Sequence, residues 1–404
     1  MIDASTPSLD TALDAWRSGR LDQARAQAAV LVDEDPDSAM AWWLLGRVCL
    51  DMGDTTGAFG ALSEAGLLAP DDISVALALA EAEWRNGDAV AALVRMAALP
   101  SSEAATQLAA RLLTAQRPEP GHIPPEELNA FVDLLKAAAQ WMVAREGWLE
   151  AAAVFHLVTR LSPDDLDAQC DLIGASARSC GMNIAELAGA RRAIAAFRLV
   201  RQQAPLKPAL WGNLGALLAA LNERSHGHGQ AAAAAAAHAH ARWMALETPG
   251  SPLFPHARAG VADFLYSRRR MAEAAKVYRT NQVPEIPEIA ETVLDAYLTT
   301  LDHRLERLER LLAMPPSPET LEQVGILIGD MGMTSDAAEV FNLALKAAPD
   351  NVANRQALAD ILSRHRLLVD AAALFANRSA VPRQPLVQPP PTPSCTPTET
   401  ACHD

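Results

Sequence analysis

The chain has 404 residues, half of them hydrophobic but only 5% aromatic, and a formal net charge of −15. That balance argues against a nucleic-acid partner, whose phosphates need a clustered basic face, and equally against an anionic membrane surface. A single compact core is not expected at this length, whereas a stack of units that touch only their neighbours escapes the limit. No long stretch alternates with period two and Ala is abundant, so the predicted class is all-α.

The opening MIDASTPSLDTALDAW carries acids where an export signal has a basic start and an apolar run. No uncharged apolar stretch reaches about 18 residues, the Ala run 231–237 being short and weakly apolar. A soluble cytoplasmic protein with no membrane insertion is expected. The five cysteines, Cys49, Cys170, Cys180, Cys395 and Cys402, are scattered and odd in number, which fits neither a disulfide framework nor a paired C-x2-C zinc site. The first three are expected to be reduced and buried.

Residues 5–38 read as a weak copy of a helical hairpin, marked by Gly19, Ala24 and Pro36. The clearest copy follows, with Trp42, Leu45, Gly46, Cys49, Gly53, Ala58, Leu62 and Pro70. Apolar residues recur at helical spacing from Met40 to Met52, Gly53-Asp54 breaks the helix, and Thr55 or Thr56 can cap a second helix running to Leu68. Gly46 and Ala58 are small enough for the two helices to approach closely, and Pro70 ends the second. Such a hairpin has two apolar faces and one partner, so it buries the remainder only against another copy. A third copy starts at Ile73, with Leu79, Ala80, Gly87-Asp88 and Ala92, and a further helix covers 102–116.

The segment RPEPGHIPP, 117–125, is the predicted internal boundary. Beyond it a helix from Glu126 or Glu127 to Arg145, then Gly147, Ala151, Phe155 and Pro163, make another hairpin. Two stretched copies follow, Pro163 to Pro205 spanning 42 residues and Pro205 to Pro249 spanning 44, with the surplus placed at the turns, 178–188 and 222–232. Ala193 and Phe197 close the first of these; Trp211, Leu214, Gly215 and Leu218 open the second. Later copies are read at 261–278, at 287–315 in degenerate form, at 318–351 with Gly325, Gly332, Ala337 and Phe341, and at 352–378. The Pro- and Thr-rich tail 380–404 cannot build a core and is expected to be disordered.

Trp42, Leu45, Gly46, Cys49, Ala58, Leu62 and Pro70 stand at W-x2-L-G-x2-Y, A-x3-F and P, with Cys49 for the Tyr and Leu62 for the Phe. In this spacing the chain resembles the tetratricopeptide-repeat (TPR) family, over residues 5–378 and most closely at 39–72, 208–221 and 318–351. The resemblance implies a right-handed α-solenoid of antiparallel helical hairpins, a superhelix whose concave groove, lined by the first helices, binds a peptide or helix of a partner protein. It implies an N-terminal stack at 1–116, a linker at 117–125, a second stack at 126–379 and the tail at 380–404. The task that follows is that of a non-enzymatic adaptor or scaffold without a cofactor. The alternative is a non-catalytic regulatory subunit of a glycosyltransferase, a methyltransferase or a surface-polysaccharide assembly, which chains resembling this one often accompany.

Groove candidates are the positions beside the consensus face of the first helices. Trp43, Arg47, Trp84 and Arg85 would form an aromatic and cationic floor, continued by Lys136, Gln140 and Asn213; otherwise both Trp rings pack between repeats. The Lys, Asn and Arg set with which chaperone-binding TPR domains hold a C-terminal carboxylate is absent, and of the Asn ladder of O-GlcNAc transferases only Asn213 has a counterpart. No metal site is assigned, His226 and His228 being the residues that would hold one in a loop. His238 and His240, two apart on a predicted helix, point about 200° apart. The glycines 227–229 lack the strand that a dinucleotide fold needs, and Gly174 to Arg178 fails the nucleophile elbow at its last position. Asp71-Asp72 and Asp164-Asp165 read as helix N-caps, Arg268-Arg269-Arg270 as a solvated turn, and 301–312 as an amphipathic helix.

Overall fold

The computed structural model describes residues 7–100, 102–116, 123–180, 184–224, 230–285 and 287–364. The tail 380–404, most of the 117–125 segment, His226 and His228 lie outside these. Three antiparallel hairpins come first: α1 (Leu9–Arg17) with α2 (Leu21–Glu34), α3 (Ala39–Met52) with α4 (Thr55–Leu68), and α5 (Ile73–Arg85) with α6 (Ala89–Ala97). A single helix, α7 (Glu103–Ala115), intervenes before α8 (Leu128–Val143) and α9 (Trp148–Leu161). Then come α10 (Leu166–Ser179), α11 (Ile184–Gln203), α12 (Pro208–Arg224), α13 (Gln230–Leu246), α14 (Phe254–Ser267) and α15 (Met271–Thr280). A 3-10 turn at Pro287–Ile289 precedes α16 (Glu291–Leu312), α17 (Pro318–Asp330), α18 (Thr334–Ala347) and α19 (Val352–Arg364).

Among the described residues these helices fall into two compact units, one drawn from within 1–179, 192–217 and 245–248, the other from the described residues outside those ranges. The boundary expected at 117–125 falls inside the first unit, where α6 and α7 both pack on α8.

The same backbone device closes six hairpins. At each turn a residue with positive φ stands five positions before a buried alanine: Gly19 before Ala24, Gly53 before Ala58, Gly87 before Ala92, Glu146 before Ala151, Arg269 before Ala274 and Gly332 before Ala337. Glycine adopts this left-handed conformation without a Cβ clash, which is why four of the six turns carry it. Glu146 at φ 62° and Arg269 at φ 61° hold the same place at a steric cost. Gly147, next in the chain, is the N-cap of α9 with φ −76°. Inside the hairpins, a Cβ on Gly46 would lie 2.4 Å from Leu62 Cγ, and one on Gly325 2.8 Å from the Phe341 ring. Both pairs span the same register, so the missing side chain lets the ridge of one helix seat on the other.

Asp54, not Thr55, caps α4, its carboxylate accepting from Gly57 N–H at 2.9 Å. Asp72 and Asp165 cap α5 and α10 as the sequence predicts. The surplus of the stretched copies goes largely into helix length, 20 residues in α11 and 17 in each of α12 and α13 against 14 in α3. Runs rich in Ala, Arg and Gln extend helices at little cost. Residues 291–312 form one helix, not a degenerate hairpin, with Leu294, Leu298, Leu301, Leu305, Leu308 and Leu311 on its buried stripe.

Candidate protein-binding face

The first helices of the N-terminal hairpins, α1, α3 and α5, pack in series, and α7 lies next along that row. Their side chains form a connected polar and aromatic surface. Trp16 on α1 donates through Nε1 to Asp51 Oδ2 at 2.7 Å and meets Trp43 edge-on, ring centroids 5.7 Å apart. The Arg47 guanidinium stands 5.9 Å from the Trp16 ring, within cation–π range. Trp43 Nε1 donates to the Ser74 carbonyl at 3.3 Å, tying α3 to α5.

Glu81 is the centre of this surface. Arg47 Nη1 donates to its Oε2 at 3.0 Å, Arg85 Nη2 to its Oε1 at 2.6 Å, and Arg111 Nη2 stands 3.6 Å from Oε2. Arg85 also donates through Nη1 to the Leu50 carbonyl at 2.8 Å. Arg47 and Glu81 occupy the same place in successive repeats, 34 residues apart. Burial pushes the Glu81 carboxyl up, but Arg47, Arg85 and Arg111 more than offset it and hold the group below its ordinary value. Glu81 is 9% exposed at the side chain, while Arg47, Arg85 and Arg111 are 24%, 39% and 66% exposed. Three guanidinium groups against one carboxylate leave surplus positive charge, and its most accessible parts are Arg85 and Arg111.

The sequence-predicted residues divide. Trp43, Arg47 and Arg85 come together here. Trp84 does not share the exposed face: it is 7% exposed, on a helix against which α6 and α7 both pack. Lys136, Gln140 and Asn213 lie on α8 and α12, and the unpaired helix α7, not α8, stands beside α5. Lys136 bonds to Asp165 at 2.8 Å, Gln140 is exposed, and Asn213 Nδ2 donates to the Cys170 carbonyl at 2.7 Å. Trp16, Asp51 and Arg111 are added by the structure. Trp16 and Arg111 lie on helices whose repeat signature is weakest, so spacing alone does not align them with Arg47.

Other candidate chemistry resolves into packing. His238, 7% exposed, bonds through Nδ1 to the Ile289 carbonyl at 2.7 Å. The His240 ring fills the space over Gly260, and burial lowers its pKa to about 4, so it is neutral. Both therefore lie inside the fold. Cys49, Cys170 and Cys180 are buried and unbridged, and burial pushes the Cys170 thiol up to about 11. Among the described residues no group of three His, Cys, Asp or Glu is placed to hold a metal ion, and no helix is long and apolar enough to cross a membrane.

Stacked hairpins closed by a left-handed turn residue and a small buried alanine define an α-helical repeat protein. Residues 9–72 match the family model of the tetratricopeptide repeat; the described residues are all-α and built largely of antiparallel helical hairpins. No curated protein matches it by sequence. Among solved structures, a human IFIT1 dimer with PPP-AAAA is similar at 13% identity, over 81% of this chain and 69% of that one, with a TM-score of 0.30. The P58(IPK) TPR domain is similar at 14% identity, over 90% and 98%, with a TM-score of 0.24. The Cut9 and Hcn1 hetero-tetramer of the APC/C is similar at 13%, over 89% and 84%, with a TM-score of 0.24. Superpositions this loose carry nothing about what the present chain binds.

Proposed function

We propose that the protein is a non-enzymatic scaffold that holds an extended acidic segment of a partner protein against the first-helix face of α1, α3, α5 and α7. The observation that carries this reading is the Glu81 cluster. Its carboxylate fixes Arg47, Arg85 and Arg111 in one place, and the surplus charge of the two outer guanidiniums offers forked donors to a carboxylate. Trp16 and Trp43 lie beside it, each partly buried, and supply rigid apolar contact at small entropic cost. On a chain of net charge −15, a fixed cationic cluster selects its partner by sign and steers its approach.

A fluorescein-labelled peptide of alternating Glu and Leu, read by anisotropy, tests the proposal. The wild-type protein should bind it and ignore the Lys-for-Glu counterpart. The double variant Arg85→Ala, Arg111→Ala should bind at least about tenfold more weakly, the loss of two charge-assisted contacts, with its helicity preserved although the loss of two partners of Glu81 lowers its melting temperature. Undiminished binding by the double variant would remove this face as the site.

A further inference from the structure

The second unit contains a cleft of about 580 Å³ at the meeting of α12, α13, α16 and the α17–α18 turn. Its walls are mostly apolar, from Leu221, Val293, Leu301, Met331 and Met333. Polar side chains of α16, Thr292, Tyr297, Thr300 and Arg304, join them, with Tyr297 and Arg304 about two turns apart on one face. Arg304 Nη1 donates to the Asp330 carbonyl at 3.1 Å, which anchors the guanidinium at the α17–α18 turn. Burial pushes the Tyr297 phenol up to about 12 against the opposing pull of Arg304, so the hydroxyl keeps its proton and donates. The first residues of α13, Gln230 to Ala232, also line the cleft. Asp330, an exposed residue, also lines the cleft.

We propose that this cleft binds a small monocarboxylate with an apolar tail, of the size of a medium-chain fatty acid. The volume lies in the range of ligand pockets, and a largely apolar wall with a few convergent polar groups is their usual composition. The tail is placed against Leu221, Val293, Leu301 and the two methionines, whose flexible thioethers adapt to chain shape. The carboxylate is placed at Arg304, with the neutral Tyr297 hydroxyl as second donor. Nothing in this site depends on the Glu81 face, so ligand binding here and partner binding there are separately testable.

Isothermal titration of the full chain with decanoate, and with decanol as the uncharged control, decides it. Wild type should bind decanoate saturably at one site. Arg304→Gln should weaken decanoate by about tenfold, the worth of a charge-assisted contact, and leave decanol unchanged. Ala296→Trp, at an exposed position lining the cleft, should abolish both by filling it. No saturable decanoate binding to wild type would overturn the proposal, as would decanoate binding that Ala296→Trp leaves intact. Equal loss of decanoate and decanol in Arg304→Gln would overturn the placement of the carboxylate. Should Ala296→Trp lower the melting temperature, Tyr297→Phe supplies the second reading, with weakened decanoate binding expected.

Discussion

At the scale of single residues, Gly46 and Glu81 carry the most. Gly46 accepts Leu62 at a distance no side chain tolerates. Gly46→Ala should therefore destabilise the protein by about 1–3 kcal/mol, the usual cost of overpacking, although alanine is the better helix former. Truncating the opposing residue as well should restore part of the loss, so in thermal melts Gly46→Ala, Leu62→Ala should be less destabilised than the sum of the single variants. Additive melts would show that the two residues do not meet. Glu81→Gln should cost about 1–3 kcal/mol, since three guanidiniums lose their carboxylate. The pH dependence has a definite sign. The folded pKa of Glu81 is depressed, so its contribution is complete above the ordinary carboxyl value of 4.5 and is lost as pH falls through the lower folded value. The gap in melting temperature between wild type and Glu81→Gln should be full at neutral pH and close below 4.5; a gap unchanged by acid would contradict this electrostatic account.

Among the elements, the hairpins were legible in the sequence wherever small residues, turn glycines and closing prolines coincide, as at 39–72 and 318–351. They were harder to read where another residue takes glycine's place. Glu146 holds the left-handed turn position although Gly147 is adjacent, because the spacing to the buried Ala151 fixes which residue turns. The strain is measurable: Glu146→Gly and Arg269→Gly should each raise stability by up to about 1 kcal/mol, relief of a left-handed Cβ less the added entropy of the unfolded chain. A lower melting temperature for either would mean that its side chain contributes more than its backbone costs. The lengthened α11, α12 and α13 were misplaced as large turns because period counts surplus residues without saying where they go. Helix propensity, high in the Ala-rich runs, was the signal that located them.

Over the whole molecule, the fold class followed from composition and repeat spacing, whereas the candidate face followed only in part. Trp43, Arg47 and Arg85 could be aligned by period. Arg111 could not, because α7 is a helix without a hairpin partner, and the same extra helix separates Lys136 and Gln140 from the Arg47 row. If the surplus charge of that row is what binds, affinity for an acidic peptide should fall by at least about tenfold between low salt and 0.5 M NaCl, where exposed charges are screened within a few ångströms. Salt-independent binding would point to apolar contact instead. The most direct measurement is photo-crosslinking of the acidic peptide through a diazirine, with the attachment points mapped by mass spectrometry. The account predicts crosslinks on α1, α3, α5 and α7, lost in Arg85→Ala, Arg111→Ala. Crosslinks on α2, α4 and α6, or within 287–364, would contradict it.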